Sequence, residues 1–350
     1  MDEAEGRATI ARAGNDLWQR IVRRIVDPEV TEREFLGSSA SPRKCRFCEH
    51  SESQTTFRKE AHAVPRALGN RSLLCADECD TCNEAGSVAE GDLVSVFAMA
   101  RAIAMIRPRE RTFKVKGRGK QASHVAVEPG ARKLDFVVPD LVDRSVRVRR
   151  TSLGFDVSVD LPPFRPINVA KALARMAWFV LPEEERARAR HIRRWIIGSE
   201  AWAFPTIWLC DLDLEGILVA PVLEVLKPVE DAPWRSPILD VRLSLGRSAV
   251  IVHLPDESWT LPFVAPPANG TRITAEGKAI YRGMRHELRL AAPRFASLPR
   301  LSHEEVAVAA YHRYRARRGE PGDPFLDWIE AEQDLLWQQI GFSSHERPRG

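Results

Sequence analysis

Residues 57–83 read FRKEAHAVPRALGNRSLLCADECDTCN, and this segment carries most of what the sequence says about the fold. It ends in a Cys79-x-x-Cys82 pair, and a matching Cys45-x-x-Cys48 pair stands before it. Two such pairs can grip one metal ion from two sides and complete the tetrahedral four-cysteine shell of a structural zinc site. Because that shell leaves no position open for water, we expect the zinc to stabilise the fold and to take no part in catalysis.

Cysteine usage favours a metal site over disulfide bonds. The chain has 6 cysteines, and all but Cys210 lie between Cys45 and Cys82. Paired Cys-x-x-Cys units in a chain that starts without the apolar core of a secretory signal indicate metal binding. We expect Cys75 to be a spectator near the zinc and Cys210 to be a core residue of an apolar strand.

Three short motifs follow one another in this part of the sequence. They are Ala61-His62-Ala63-Val64-Pro65, then Leu68-Gly69-Asn70, then Cys79-Asp80-Thr81-Cys82-Asn83. In this order the segment resembles the HNH endonuclease family, in the branch whose pattern runs Ala/Glu-His-x-x-Pro, Leu-Gly-Asn or Leu-Gly-Gly, and Cys-Asp-x-Cys-Asn. The resemblance covers residues from about 45 to 95 of the 350 in the chain. It implies a ββα-metal fold, in which two short strands lead into a helix.

The resemblance also implies roles for three residues. His62, at the end of the first hairpin strand, would be the general base, and a histidine that is neutral near pH 7 suits that task. Asn83 would open the helix and be a ligand of a catalytic Mg²⁺ or Mn²⁺ ion, since such hard ions prefer oxygen donors. Asn70 would be the middle residue of the motif and orient the base through a hydrogen bond. Phosphodiester hydrolysis needs an activated water and a cation that stabilises the charged transition state.

One position departs from the family pattern. Many HNH nucleases have an acidic residue directly before the histidine as a second metal ligand, whereas this chain has Ala61. Glu60 would share the strand face of His62, and Glu90 would lie about two helical turns after Asn83 on nearly the same face. Either carboxylate, or water, could take the missing place, and these alternatives stay open.

The whole chain is predicted to be an α+β protein with several domains, because 350 residues exceed the usual size of one domain. The predicted order is an N-terminal helical segment at 1–36, the HNH nuclease module at 37–108, a mixed α+β domain of unknown role at 109–295 and a helical hairpin at 299–340. The hairpin resembles a short bacterial helical domain of unknown function, and that resemblance implies no activity.

The spacing of apolar residues predicts the individual elements. Asp16–Val26 has the spacing of one helical face, and a longer helix, weakened by two glycines, is expected from Asn83 to Ile106. Arg111–Val159 and Thr206–Val264 alternate apolar and polar residues, which is typical of strands. Thr55–Val64 is expected to form short strands before the second cysteine pair.

A strong helix is predicted at Asn168–Leu181, and a second one is expected from Pro182 through Trp195. The Lys-Ala-Leu-x-Arg-x-Ala run at 171–177 is similar to a Lys-Ala-Leu-x-Lys/Arg-x-Ala segment of the same HNH branch. Trp178 and Phe179 follow this run, and we expect both to be core residues.

Charge and hydropathy say less about partners. The net charge is only +4, from 52 basic and 48 acidic residues. Between Arg101 and Lys120, however, basic residues outnumber acidic ones by 8 to 1. Such a tract could neutralise DNA phosphates or be a solvated linker. No apolar run approaches the roughly 18 residues of a membrane span, so we expect no membrane segment and a cytoplasmic location.

The leading interpretation is a metal-dependent HNH endonuclease that hydrolyses phosphodiester bonds in DNA, with structural Zn²⁺ and catalytic Mg²⁺ or Mn²⁺. The alternative is a zinc-stabilised nucleic-acid-binding protein without cleavage activity, and Ala61 is its main support. In a third interpretation the nuclease is an effector in bacterial defence. Its C-terminal region, within residues 109–340, would then contact a protein partner or another copy of the chain.

Overall fold

The structure is a computed structural model. It describes residues 18–104, 106, 113–116, 124–128, 133–137, 146–151, 154–198, 206–212, 218–229, 239–257, 270–274, 280–281, 285–291, 302–316, 331 and 335. By its internal contacts the chain divides into two units, Met1–Val146 with Ser158–His286, and Arg147–Val157 with Glu287–Gly350. The predicted domain limits at 36 and 108 both fall inside the first unit, and the boundaries themselves stay a prediction.

The elements confirm the predicted α+β class. The strands are β1 (Trp18–Ile25), β2 (Glu34–Leu36), β3 (Ala61–His62), β4 (Leu73–Cys75), β5 (Phe113–Lys116), β6 (His124–Glu128), β7 (Lys133–Val137), β8 (Val146–Thr151), β9 (Gly154–Asp160), β10 (Thr206–Asp211), β11 (Leu218–Pro228), β12 (Leu239–Gly246), β13 (Ser248–Leu254), β14 (Gly270–Thr274) and β15 (Arg285–Ala291). The α-helices are α1 (Asp80–Val96), α2 (Ala98–Ile103), α3 (Pro166–Val180), α4 (Glu183–Arg188), α5 (Arg190–Ile197) and α6 (His303–Ala316).

A six-stranded antiparallel sheet is the main layer of the first unit. Its strand order is β1–β11–β12–β13–β10–β14. Alternate residues on one face are buried, among them Val241 and Leu243 of β12 and Val250 and Val252 of β13. Helix α3 packs on β10, β12 and β13 and belongs to the same apolar core. The cysteine-rich segment, which contains both cysteine pairs, packs against this layer of sheet and helix.

The opposite face of this sheet carries a buried ion pair. The Asp240 carboxylate, 1% exposed, accepts hydrogen bonds from Nε and Nη2 of Arg242 and lies 3.8 Å from Nε2 of His253. Trp18 stacks on His253, with ring centroids 5.9 Å apart. Burial alone would raise the pKa of the Asp240 carboxyl, but its contacts with His253 and Arg242 outweigh burial and hold that pKa below its usual range.

The cysteine-rich segment forms a small sheet of its own. Strand β4 is central, antiparallel to β3 and parallel to β2, and α1 follows it. Two hairpin strands leading into a helix give the ββα order that the resemblance implies. Helix α1 then packs against α3, so this segment and the large sheet share one core.

The predicted N-terminal helix is wrong, because Trp18–Ile25 is the edge strand β1, paired antiparallel to β11. The register shifts between Arg20 and Val22, which leaves Ile21 as an extra residue in a bulge. A bulge lets neighbouring residues turn to one side, and Ile21 and Val22 both pack against the core. Adjacent apolar residues such as Ile21 and Val22 give the sequence the spacing of a helix. Pairing with β11 nevertheless makes this segment a strand.

The other helix predictions hold in large part. The predicted helix at Asn168–Leu181 is confirmed as α3, whereas the helix expected from Pro182 to Trp195 is broken at Ala189 into α4 and α5. The long helix expected from Asn83 to Ile106 begins three residues earlier, at Asp80, so Asn83 does not open it, and it is divided at Phe97 into α1 and α2.

Strands are also found where the sequence predicts them. Strands β5–β9 lie in Arg111–Val159 and β10–β13 in Thr206–Val264, while β5–β6–β7 and β15–β9–β8 each form a three-stranded sheet. Helix α6 is the first helix of the predicted hairpin, and the second, expected near 324–336, lies outside the described residues apart from 331 and 335. No helix in the described part of the chain has the length and apolar character of a membrane span.

Candidate metal centre and active site

The four cysteines of the two pairs lie together, as predicted. The sulfur atoms of Cys45, Cys48, Cys79 and Cys82 are all within 4.8 Å of one another. Those of Cys48 and Cys79 are 3.7 Å apart. Zinc–sulfur bonds of about 2.3 Å in a tetrahedron place neighbouring sulfur atoms roughly 3.8 Å apart. The cluster can therefore hold a metal ion such as zinc.

The thiols strongly perturb one another. A hydrogen bond from Cys82 lowers the pKa of Cys45 to about 4, whereas burial raises the pKa of Cys48 to about 11. The contact with Cys45, followed by burial, raises the pKa of Cys82 as well. One thiolate forms easily and its neighbours resist ionisation, because like charges repel in a buried space. A divalent cation removes that resistance, which is why this donor set suits a metal ion better than four free thiols.

Backbone hydrogen bonds hold the two cysteine pairs in one frame. In the turn of the first pair, Cys45 N–H donates to the His50 carbonyl at 2.8 Å, and Glu49, with φ of 64°, donates to the Cys45 carbonyl at 2.9 Å. In the second pair, Cys79 N–H donates to the Cys45 sulfur at 3.4 Å, directly before α1 begins. The start of α1 is thereby fixed to the first turn.

The two other cysteines lie outside the cluster. Cys75 is buried in β4, and its thiol donates to Asp77 at 3.1 Å. Cys210 is buried in a small apolar cluster with Trp208 and Ile251. The expected spectator and core positions are both confirmed.

His62 is the last residue of β3 and pairs with Leu74 of β4. Its side chain is half-buried, and burial, reinforced by the charge of Arg66, lowers its pKa below the usual range, against the opposing influence of Glu60. The imidazole is therefore neutral at pH 7, which is the state in which it can accept a proton. Strands near His62 are shorter than predicted, since of Thr55–Val64 only Ala61–His62 is extended and paired.

Asn70 is fully buried, and both polar atoms of its side chain form hydrogen bonds with the backbone of the hairpin. Its Nδ2 donates to the carbonyls of Val64 and Leu73 at 2.7 and 2.8 Å. Its Oδ1 accepts from the N–H groups of Ser72 and Leu73 at 3.2 and 2.9 Å. The side chain braces the connection that follows His62, which makes Asn70 a positioning residue of the hairpin.

The first turn of α1 is fastened to the segment that precedes β3. Asp80 accepts hydrogen bonds at 2.8 Å from the N–H groups of both Arg58 and Lys59. Asn83, one turn on, donates from Nδ2 to the carbonyl of Glu60 at 3.4 Å, a long and weak contact. The start of the helix therefore lies beside the backbone two residues before His62.

A buried arginine from α3 reaches into the same region, and the sequence analysis assigned it no role. Arg175 donates from Nη2 to both carboxylate oxygens of Glu78, at 2.8 and 2.7 Å, with side-chain exposures of only 3% and 0%. Nη1 donates to Glu90, and Nη2 lies 3.4 Å from Oδ1 of Asn83. The guanidinium also passes so close to Gly86 that a Cβ there would lie 2.5 Å from Cζ. Burial raises the pKa of both carboxyl groups, and Arg175 opposes that rise.

Glu60 and Glu90, the two carboxylates that could replace the metal ligand missing at Ala61, have different ion-pair partners. Glu90 is bound to the buried Arg175. Glu60 is paired with Arg33 at 2.6 Å, with side chains 47% and 54% exposed. An exposed ion pair contributes about 0–1 kcal/mol, so Glu60 can leave its partner at small cost, whereas Glu90 cannot.

Aromatic residues of α3 close the core over the first cysteine pair. The rings of Phe47 and Phe179 meet edge to face at 5.2 Å. Trp178 Nε1 donates to the Arg46 carbonyl at 3.3 Å, and Nη1 of Arg46 donates to the Phe179 carbonyl at 2.7 Å. Trp178 and Phe179 are buried, which confirms that both are core residues.

The predicted basic tract is wrong at its first residue. Arg101 is 8% exposed, in α2, and burial lowers its pKa to about 10. A buried guanidinium cannot contact a DNA backbone from this position. The remaining basic side chains of the tract lie outside the described residues.

No protein-family model, no curated protein and no solved structure matches the chain. The site therefore has to be judged on its own residues. Its residues form a four-cysteine cluster, a hairpin whose first strand ends in His62 and a helix start that carries Asn83.

Proposed function

We propose that this chain is a metal-dependent endonuclease that hydrolyses phosphodiester bonds in DNA. One observation carries the proposal. In the helix that begins in the cysteine cluster, Nδ2 of Asn83 lies 3.4 Å from the backbone carbonyl of Glu60, directly before the strand that ends in His62. A zinc ion on the four cysteines would hold base and helix in one frame, which is the preorganisation that a nuclease site requires.

In the proposed reaction, neutral His62 takes a proton from a water molecule. The hydroxide attacks phosphorus, the bond from phosphorus to a sugar oxygen breaks, and the leaving oxygen regains a proton. A Mg²⁺ or Mn²⁺ ion, held by the Asn83 side-chain oxygen and by the Glu60 carboxylate, would supply positive charge to the phosphate. Glu60 is the better carboxylate because its present partner is an exposed arginine, whereas Glu90 is committed to Arg175.

A polar cavity with a small excess of positive charge lies next to the hairpin. Its volume is about 250 Å³, and it borders Glu60 and Ala61. Arg43, Arg58 and Lys59 line the same cavity, against the two carboxylates Glu60 and Glu78. The one excess positive charge would offset phosphate charge beside Ala61, the residue before the proposed base.

The decisive experiment incubates zinc-loaded protein with supercoiled plasmid and either Mg²⁺ or Mn²⁺. The wild type is expected to nick or cut, and His62→Ala is expected to lose roughly 10²–10⁴ in rate while keeping zinc and fold. His312→Ala, an exposed histidine on α6, is the matched control and should cut like the wild type. Equal rates for wild type and His62→Ala would refute the role of the base.

The metal ligands are tested by titrating the ion. Asn83→Ala and Glu60→Ala should each need more Mg²⁺ or Mn²⁺ for the same rate, because an oxygen donor is lost. Glu90→Ala should leave that requirement unchanged and lower stability instead. The opposite result is that Glu60→Ala needs no more metal ion than the wild type, while Glu90→Ala needs more. That result would make Glu90, and not Glu60, the carboxylate ligand of the ion.

Binding without cleavage is the second candidate. Ala61 offers no carboxylate, and Nη2 of Arg175 lies 3.4 Å from Oδ1 of Asn83, where this cation would compete with a metal ion. A wild type that binds DNA but cuts under no metal condition would favour this candidate.

A further inference from the structure

A second polar cleft lies between the first cysteine pair and helices α4 and α5. Its volume is about 230 Å³. Five of the residues that line it are cationic: Lys44, Arg46, Arg186, Arg190 and Arg193. Three are acidic: Glu49, Asp77 and Glu183. The cleft is thus a cationic surface in a part of the chain where the sequence analysis predicted none.

Helical spacing explains why three of these cations meet. Arg186, Arg190 and Arg193 stand at positions i, i+4 and i+7, which fall on one face of a helix. The break at Ala189 between α4 and α5 does not disturb this face, since all three side chains line the cleft. From Arg186 to Arg193 the helical rise is roughly 10 Å, enough to follow a nucleic-acid backbone past one phosphate.

Each acidic residue of the cleft already has a partner. Asp77 binds Arg46 at 2.8 Å, Glu49 binds Arg193 at 2.5 Å, and Glu183 binds Arg186. Lys44 and Arg190 are exposed and form no close salt bridge among the described residues. The hydrogen bond from Arg193 is the main cause that lowers the pKa of Glu49, and the more distant charges of Lys44 and Arg190 add to it. The cleft therefore has an excess of two positive charges, both accessible from solvent.

Arg193 adds an unfilled hydrogen-bond donor. Its side chain is 17% exposed, and only its Nη1 is paired with Glu49. Its Nε is buried without an acceptor among the described residues. A buried donor without an acceptor costs about 1–3 kcal/mol, so an acceptor that enters the cleft would regain part of this loss.

We propose that this cleft binds a phosphate of the DNA backbone, with Lys44 and Arg190 as the principal contacts. The inference rests on the proposed function and adds to it a second contact with the substrate. The backbone of DNA fits better than a free phosphate ion, because exposed Arg194, one helical turn after Arg190, continues the row of cations along α5. Lys44 directly precedes the zinc ligand Cys45, so the metal site holds one side of the cleft in place.

The test measures binding of a labelled 20-base-pair duplex to full-length, zinc-loaded His62→Ala protein, which keeps the DNA intact. Lys44→Gln/Arg190→Gln is expected to weaken binding about 10- to 60-fold at 0.1 M salt and to reduce the salt-dependence slope by roughly 1.8. The control is Arg247→Gln/Arg272→Gln, which removes the same charge from exposed positions on the large sheet and should change both values little. Zinc content and melting temperature confirm that each variant is folded.

Three results would overturn the proposal. In the first, the cleft variant binds DNA as tightly as the wild type. In the second, the control weakens binding as much as the cleft variant does, which would mean that only net charge matters. Calorimetry with inorganic phosphate could also show binding that the cleft variant loses while DNA binding is unchanged, which would assign a free anion. The nuclease proposal fails separately, since a wild type that never cuts can still show the expected loss of binding in the cleft variant.

Discussion

Replacing glycine by alanine is expected to have opposite effects on stability at two positions of α1. Gly86 and Gly91 lie in the interior of one helix, where replacing glycine by alanine normally gains about 1 kcal/mol. A Cβ at Gly91 meets nothing within 4 Å. A Cβ at Gly86 would lie 2.5 Å from Cζ and 2.6 Å from Nε of Arg175. Atoms that are not bonded to each other do not approach so closely, so in Gly86→Ala the guanidinium has to move.

The cost of that movement follows from what Arg175 holds. Its carboxylate partner Glu78 is fully buried, and breaking a buried pair costs about 3–5 kcal/mol. After subtraction of the gain in helix propensity, Gly86→Ala should lose about 2–4 kcal/mol of unfolding free energy. Gly91→Ala should gain about 1 kcal/mol.

Both variants would be unfolded in urea while zinc release to a coloured chelator reports on the cysteine-rich segment and tryptophan fluorescence reports on the rest. Gly86→Ala should release zinc at a lower urea concentration than the wild type, and Gly91→Ala at a slightly higher one. If both variants are stabilised equally, the close approach of Arg175 to α1 is wrong.

Four further predictions concern stability. Arg175→Met should lose about 3–5 kcal/mol, and adding Glu78→Leu should recover part of that loss because only the Glu90 carboxylate then lacks its cation, as a urea titration of both variants would show. Asn70→Ala should lose more than about 2 kcal/mol, since several backbone groups lose their partner, and amide hydrogen exchange should rise between His62 and Leu73 but not in the large sheet. Removing zinc with a chelator should unfold the cysteine-rich segment, seen by circular dichroism, and a chain that stays equally stable without metal would contradict a structural zinc. Asp240→Asn should cost stability above pH 4, and the deficit relative to wild type should shrink as the pH falls below about 4, because a carboxyl with a depressed pKa stabilises the folded state only while it is ionised.

The metal site could be predicted from the sequence because its information is local. Each Cys-x-x-Cys pair fixes its own turn, and four sulfur atoms in two turns have few ways to meet other than around one ion. The ββα order from His62 to Asn83 is local in the same sense. The helix at 168–181 was predictable because its apolar residues keep a helical period without interruption.

Other features depend on residues far apart in the chain and were not predictable. The bulge at Ile21 in β1 produces apolar pairs that imitate a helix, and only pairing with β11, some two hundred residues later, reveals a strand. Arg175 is the residue that binds Glu78 and Glu90, yet in the sequence it differs in nothing from other arginines of an amphipathic helix. Its one signal is the likeness of the run at 171–177 to a segment of HNH proteins, and that likeness does not name a partner.

The contact between Phe47 and Phe179 also affects how the chain can fold during its synthesis. Cys82 is synthesised about 90 residues before Arg175, so at 5–20 residues per second both cysteine pairs wait roughly 5–20 s for α3. During that interval Phe47 lacks its aromatic neighbour and Glu78 lacks its cation, even if zinc has already bound. A nascent chain released before α3 therefore carries both cysteine pairs without the core that packs on them, and synthesis of α3 sets the earliest time at which that core can be completed.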